Sequence, residues 1–328
     1  MMKARTLLRG SILSCALLVA ALTSASAQNY PNRPVKFILP YAAGGTGDII
    51  VRLLGTKLPG IWGQQLVVDN RTGAGGLIGT EAAARSDPDG YTLYLGTDGP
   101  LTVAASLHKR LPYHWKRDFA PVTMMAVSYQ VMLVKASNPA RDLAAFIANA
   151  KQKPGEINYG SIGIGSAPHL TAEIFKAAAG IEATHVPYRG SSAQAMTAMI
   201  AGDVQMLMNG TASSIPHIRS GALRALAITA PRRTENLAEI PTFTEFGLPS
   251  VDAVLWFAAM VPAGTPQPII RKLHADLTQV LNDPEIKASL AARGLEVRAE
   301  GPEKLAEFLE RDYVKFRDLL QKLNLQVE

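Results

Sequence analysis

Apolar and polar positions along the chain predict short strands, each followed by a glycine-rich turn and a helix. Val35-Lys36-Phe37-Ile38-Leu39 is a compact apolar run with strand character. Ile49, Ile50, Val51, Leu53 and Leu54 then carry helical spacing. Between the two lies P-Y-A-A-G-G-T-G-D, residues 40–48. A strand that runs through such a turn into a helix leaves backbone N–H groups unpaired at the helix start, where they can hold an anion. Gly44, Gly45 and Gly47 let that backbone approach a ligand closely.

The unit recurs. Residues 65–69 read as a second strand, followed by Asn70-Arg71-Thr72-Gly73-Ala74-Gly75-Gly76 and a helix over 77–85. Asp87-Pro88-Asp89-Gly90 is a turn, and 91–95 is a third strand that ends in the polar loop Gly96-Thr97-Asp98-Gly99-Pro100. This alternation predicts an α/β architecture with parallel strands. Ligands bind at the C-terminal strand edge of such sheets, so loops 40–48, 70–76 and 96–100 are expected to face one crevice.

The long apolar run 119–135 is expected to be an extended connection between two lobes. A helix over 143–151 and a strand over 157–159 lead to a second glycine-rich turn, residues 160–169, and a helix over 170–179. Ser166 suits the N-cap of that helix and Pro168 its first turn. Further on, a helix ends at Gly202, residues 204–208 form a strand with Asn209-Gly210 after it, and 222–229 form another. Residues 256–261 are the expected return connection. Helices over 269–281, 284–293 and 302–323 are expected to pack on the first lobe. Two glycine turns, one in each half, suggest a ligand with acidic groups held between two helix starts.

The first 27 residues change the cellular picture. Lys3, Arg5 and Arg9 precede an apolar stretch over 12–22, and Ala25-Ser26-Ala27 supplies a cleavage site, so export and cleavage after Ala27 are expected. The lone cysteine, Cys15, goes with this leader, which removes disulfides, thiolate metal sites and cysteine nucleophiles from consideration. The formal net charge is +6, and losing three basic residues and no acidic ones leaves +3. No basic block points to nucleic acid.

Eight stretches in order resemble the Bug or TctC family, the extracytoplasmic solute-binding receptors of tripartite tricarboxylate transporters. They are P-Y-A-A-G-G-T-G-D at 40–48, N-R-T-G-A-G-G at 70–76, P-D-G-Y-T-L at 88–93 and D-F-A-P-V-T at 118–123. N-Y-G-S-I-G-I-G-S at 158–166, H-V-P-Y-R-G-S at 185–191, P-H-I-R-S-G at 216–221 and P-A-G-T-P at 262–266 complete them. The resemblance implies a two-lobed, periplasmic-binding-protein-like α/β fold of the type II, Venus flytrap kind, closing on a small carboxylate. It implies lobe 1 from 28–127 and 255–328, lobe 2 from 128–254, and no cofactor. It also implies a monomer whose partners are the large and small permease subunits, with a membrane sensor kinase as the alternative recipient of the bound state.

By carry-over, Ala43, Gly44, Gly45 and Asp48 fall on one side of the ligand, and Gly165, Ser166 and His169 on the other. Tyr41, Thr97, Tyr188 and Asn209 complete the expected site. Two departures bear on the ligand: the order Thr46-Gly47 in the first loop, and Asn209-Gly210 where relatives often carry Asp-Asn. An amide in place of a carboxylate removes a partner for an ammonium group, which favours di-, tri- or hydroxy-acids over amino acids.

Several residues have plainer readings. Asp48 gains about 0.3–1 kcal/mol from the helix dipole without touching ligand. Arg71 and Arg189 can pair with a carboxylate or fix their own loops. Met196, Met199, Met206 and Met208 suit core packing. The six histidines are dispersed along the chain without metal-site spacing. A secreted hydrolase is disfavoured because no G-x-S-x-G elbow is present, and G-A-G-G-L-I-G lacks dinucleotide-site spacing.

Overall fold

The computed structural model describes residues 30–188 and 191–322. The expected leader and Arg189 lie outside them. Ten strands and nine helices of eight or more residues are numbered here in chain order. β1 (Val35–Leu39), α1 (Thr46–Gly55), β2 (Leu66–Asn70), α2 (Leu77–Ala84) and β3 (Thr92–Gly96) form the first run. β4 (Phe119–Lys135), α3 (Leu143–Gln152), β5 (Asn158–Ser161), α4 (Ala167–Ala179), β6 (Thr184–Pro187), α5 (Ser192–Ala201), β7 (Met206–Gly210), α6 (Thr211–Arg219) and β8 (Leu223–Ile228) form the second. β9 (Val254–Pro262), α7 (Gln267–Leu281), α8 (Pro284–Ala291), β10 (Leu295–Glu300) and α9 (Pro302–Lys322) follow.

β1 pairs in parallel with β2 and β3, and β5 in parallel with β6 and β7. Each three-stranded parallel group is one lobe's nucleus. The parallel strands expected from the sequence are joined by β4 and β9, which run antiparallel to their neighbours. β4 is a 17-residue strand that serves both groups. Residues up to Tyr129 pair with β9, whereas Gln130 onward pair with β7 and β8. The strand order is β2-β1-β3-β9-β4-β7-β5-β6, with β8 and β10 also on β4.

β1 shows why the parallel strands lack polar alternation. Phe37 and Leu39 face one core with Ile50, Leu54 and Leu273, while Ile38 faces a second with Tyr94 and Trp115. A sheet covered on both faces needs apolar residues at every position. The C-terminal helices do pack on the β1 side, through Ile270, Leu273 and Leu277 of α7 and Leu305 and Leu309 of α9. The second lobe has its own core around Tyr159, Phe175, Met206 and Met208. All four methionines named above are buried. β10, antiparallel to β4, is a strand that the sequence pattern did not predict.

Candidate functional site

Three helices begin at one point between the lobes, and none of the three starts is capped by a side chain. α1 begins at Thr46, three residues earlier than its apolar spacing implied, with Gly45 as N-cap. Its first intrahelical bond runs from Ile49 N to the Gly45 carbonyl at 3.0 Å, which leaves the amides of Thr46, Gly47 and Asp48 free of helix partners. α4 begins at Ala167, again three residues early. Ser166 is its N-cap as expected, yet the hydroxyl turns away and donates to the Gly163 carbonyl at 2.6 Å. α6 starts after Gly210, which has no side chain to offer. Elsewhere α3, α5 and α8 are capped by Asp142, Ser191 and Asp283, while α2 and α7 start bare after Gly76 and Pro266 without converging on a cavity. A side-chain cap contributes about 1 kcal/mol, so three bare starts in one place keep their amides for something else.

These starts line a cavity of about 50 Å³. Gly45, Thr46, Gly47 and Asp48 come from α1, Ala167 and Pro168 from α4, and Asn209 and Gly210 from the β7–α6 junction. Tyr41, Thr97, Asp98, Ile162, Ser192 and Trp256 add to the wall, with apolar Leu39, Leu95, Leu255 and Phe257. Apolar walls with a few convergent donors suit a small ligand held by its polar ends. The lobes touch around it. A methyl group on Gly75 would lie 2.4 Å from the Ile164 carbonyl oxygen, and one on Gly210 would lie 2.7 Å from Thr46 Oγ1.

Of the residues expected from sequence, Tyr41, Gly45, Asp48, Thr97 and Asn209 line this cavity. The Tyr41 hydroxyl and Thr97 Oγ1 lie 3.1 Å apart in a hydrogen bond, and burial together with the nearby Asp98 raises the Tyr41 pKa. Asp48 is 5% exposed, and its oxygens are committed. They accept from Gly44 N at 3.0 Å, Arg52 Nε at 2.8 Å and Asn70 Nδ2 at 3.2 Å. Burial opposes its charge, but these bonds outweigh burial and hold the carboxyl below its ordinary range. Asp48 therefore clasps the first loop into shape. Asn209 donates from Nδ2 to the hydroxyls of Ser213 and Ser214, both at 2.9 Å.

The other expected residues stand behind the cavity wall. Ala43 and Gly44 are exposed at the outer side of the loop. Gly165 donates its amide to His169 Nδ1 at 3.2 Å. His169, whose pKa is lowered by burial, is therefore a neutral acceptor that shapes the second loop. The His185 ring lies tilted at 40° against His169 with centroids 4.3 Å apart and pairs with Ser161 Oγ at 2.6 Å. Two histidines distant in sequence are thus neighbours, and burial plus the second ring push His185 down to about 4. Tyr188 is half-buried behind β5 and donates its amide to the Ser161 carbonyl at 2.9 Å. Arg71 pairs with Asp69 at 3.0 Å, so it fixes its own loop.

Asp98 and Trp256 were missed. Asp98 is 4% exposed, and burial and the repulsion of Asp312 raise its pKa to about 7. Its place in the polar 96–100 loop was the available signal. Trp256 sits in an apolar strand and gave none. A wider groove of about 630 Å³ lies between α9 and α4 among the described residues; it shares Asp98 and Ala167 with the cavity and carries interspersed acids and bases. It gathers no set of helix starts. Among the described residues no cluster of His, Cys, Asp and Glu could hold a metal, and no helix is long and apolar enough to cross a membrane.

Two lobes joined by shared strands, with helix starts converging between them, define a two-lobed binding protein of the periplasmic type. The family model described as the tripartite tricarboxylate transporter family receptor, TctC, matches residues 50–325. The chain belongs to that family. It is similar to protein BugT of Bordetella pertussis, 35% identical over 92% of this chain and 93% of BugT. Among solved structures it resembles an R. palustris protein with adipate, at 31% identity and TM-score 0.87, covering 90% of this chain and 99% of that one. MatC of Rhodopseudomonas palustris with bound malate gives 27% and 0.85, covering 89% and 100%. A TctC solute-binding protein from Polaromonas without ligand gives 26% but only 0.63, covering 89% and 99%.

Proposed function

We propose that this protein is an exported, periplasmic receptor that captures a short dicarboxylate or hydroxy-dicarboxylate by closure of its two lobes. The observation that carries this reading is the set of uncapped helix starts around one small cavity. Their free amides supply charge-assisted donors at fixed positions, and the helix dipoles favour negative charge there. The malate and adipate carried by two relatives support the same class.

Lobe 1 spans 28–127 and 255–328 and lobe 2 spans 128–254 in this reading, and the change of partner along β4 and the return along β9 form the hinge. The acid binds one lobe first, and contacts from the second drive closure. The protein acts as a monomeric receptor and not as an enzyme, and it delivers its ligand to the large and small permease subunits of a tripartite tricarboxylate transporter. Neighbouring permease genes would support delivery, whereas a neighbouring sensor kinase gene would favour signalling. The binding reading is tested by thermal shift of the mature protein against mono-, di- and tricarboxylates and amino acids. Binding raises apparent stability by mass action, so malate, succinate or adipate should give the largest shift. A larger shift from aspartate or glutamate would reject the ligand class.

A further inference from the structure

Asp98 and Asp48 are the two acidic side chains on the wall of a cavity whose helix starts attract anions; Asp48 is bonded to Arg52 and Asn70, whereas Asp98 has another acid, Asp312, as its neighbour. Asp98 lines both the 50 Å³ cavity and the outer groove, and only Ala167 shares that position. The adjoining Gly99 packs on the second loop, where a methyl group would lie 3.4 Å from the Gly165 carbonyl oxygen. Asp98 lines the same cavity as Ala167 and Pro168 at the start of α4, where the helix start accommodates one negative group. An ionised Asp98 and a ligand carboxylate would compete for it.

We propose that Asp98 sets this receptor's preference for diacids by acting as a neutral carboxylic acid that donates a hydrogen bond to the ligand's carboxylate, so that capture requires one retained proton. The inference rests on the carboxylate reading above and deepens it. The groups that face Asp98 support the neutral form. From α9 comes Asp312, its own pKa raised by burial, whose Oδ2 accepts from Thr102 Oγ1 at 2.6 Å and Trp256 Nε1 at 3.0 Å; these bonds favour its charged form, and the two carboxyls repel. From the loop after β1 comes Tyr41, whose raised pKa keeps it a phenol. Lys315 of α9 opposes the effect, but its Nζ donates to the Asp252 carbonyl at 3.3 Å. On the groove side Asp252, Glu300 and Asp318 balance Arg298 and Arg311. Backbone amides of Gly99 and Asp98 favour the anion, yet burial and Asp312 leave the carboxyl titrating at about 7.

The test is calorimetric titration of malate into the mature protein from about pH 6 to about pH 9, where malate stays fully ionised. It is repeated in two buffers of different ionisation heat to count protons. Wild-type affinity should fall about tenfold per pH unit above about 7, with one proton taken up. Asp98→Asn, a neutral donor at every pH, should bind malate with no such slope. Asp312→Asn removes the neighbouring charge and should move the onset of the slope to lower pH, which gives a second readout if Asp98→Asn fails to fold. A slope that persists in Asp98→Asn, a flat wild-type profile, or an onset unmoved by Asp312→Asn overturns the role of Asp98 while leaving carboxylate binding intact. A folded wild type that binds no malate, succinate or adipate at any pH overturns the functional reading, and this inference with it.

Discussion

Gly45→Asp should abolish ligand binding while leaving the fold intact or slightly firmer. Gly45 has φ −77° and ψ 168°, extended backbone open to any residue, and an added Cβ meets nothing nearer than the Ala42 carbonyl oxygen at 3.7 Å. The new carboxylate stands at the N-cap of α1, where it accepts from the amides the ligand would use. Stability should rise by a few tenths of a kcal/mol from capping, with about 0.3–1 kcal/mol from the helix dipole. For the ligand the change is severe. Two carboxylates about 4 Å apart at an effective dielectric of about 20 repel by about 4 kcal/mol, which is roughly a thousandfold in affinity. The assay is calorimetry with the diacid that the wild type binds, alongside a thermal melt. Unchanged affinity in a folded Gly45→Asp protein would refute the placement of the anion at the start of α1.

Gly75→Ala should weaken binding without unfolding either lobe, because its methyl would lie 2.4 Å from the Ile164 carbonyl oxygen across the closed cleft; small-angle scattering with saturating ligand should show an incompletely closed form. Gly47→Ala should instead destabilise the first lobe by about 1–3 kcal/mol, since its methyl would lie 2.3 Å from Leu95 Cδ2 in the core, and a denaturant midpoint measures this. Arg52→Ala should raise the pH of acid unfolding, followed by tryptophan fluorescence. The Asp48 carboxyl is held below its ordinary range, so its contribution is present above the unfolded value and is lost as pH falls through the lower folded value. Removing Arg52 moves that loss to higher pH, and an unmoved acid midpoint would show that Gly44 and Asn70 suffice.

How much of this was legible in the sequence depended on whether the signal was local. The glycine turns at 40–48 and 160–169, the strands that feed them and the ordered run of family stretches are local patterns, and they marked the two loops whose helix starts line the cavity. Both helices nonetheless begin three residues before their apolar spacing, because Thr46, Gly47 and Asp48 and then Ala167 and Pro168 occupy helical turns whose first residues face the cleft. The antiparallel strands depend on pairing between residues far apart, such as Tyr129 with Val254, and no local period encodes that. The contacts of Asp48 and His169 were hidden for the same reason: Asp48 lines the cavity while its oxygens accept from Gly44, Arg52 and Asn70, and His169 accepts from the Gly165 amide.

The measurement that bears most directly on the account is a crystal structure of the mature protein with malate or adipate. The account predicts one ligand between the lobes, with a carboxylate about 3 Å from the amides of Thr46 and Gly47 and a second within reach of Asp98 and the start of α4. A ligand found in the groove beside α9, or a cleft that closes with no carboxylate at the α1 amides, would contradict it.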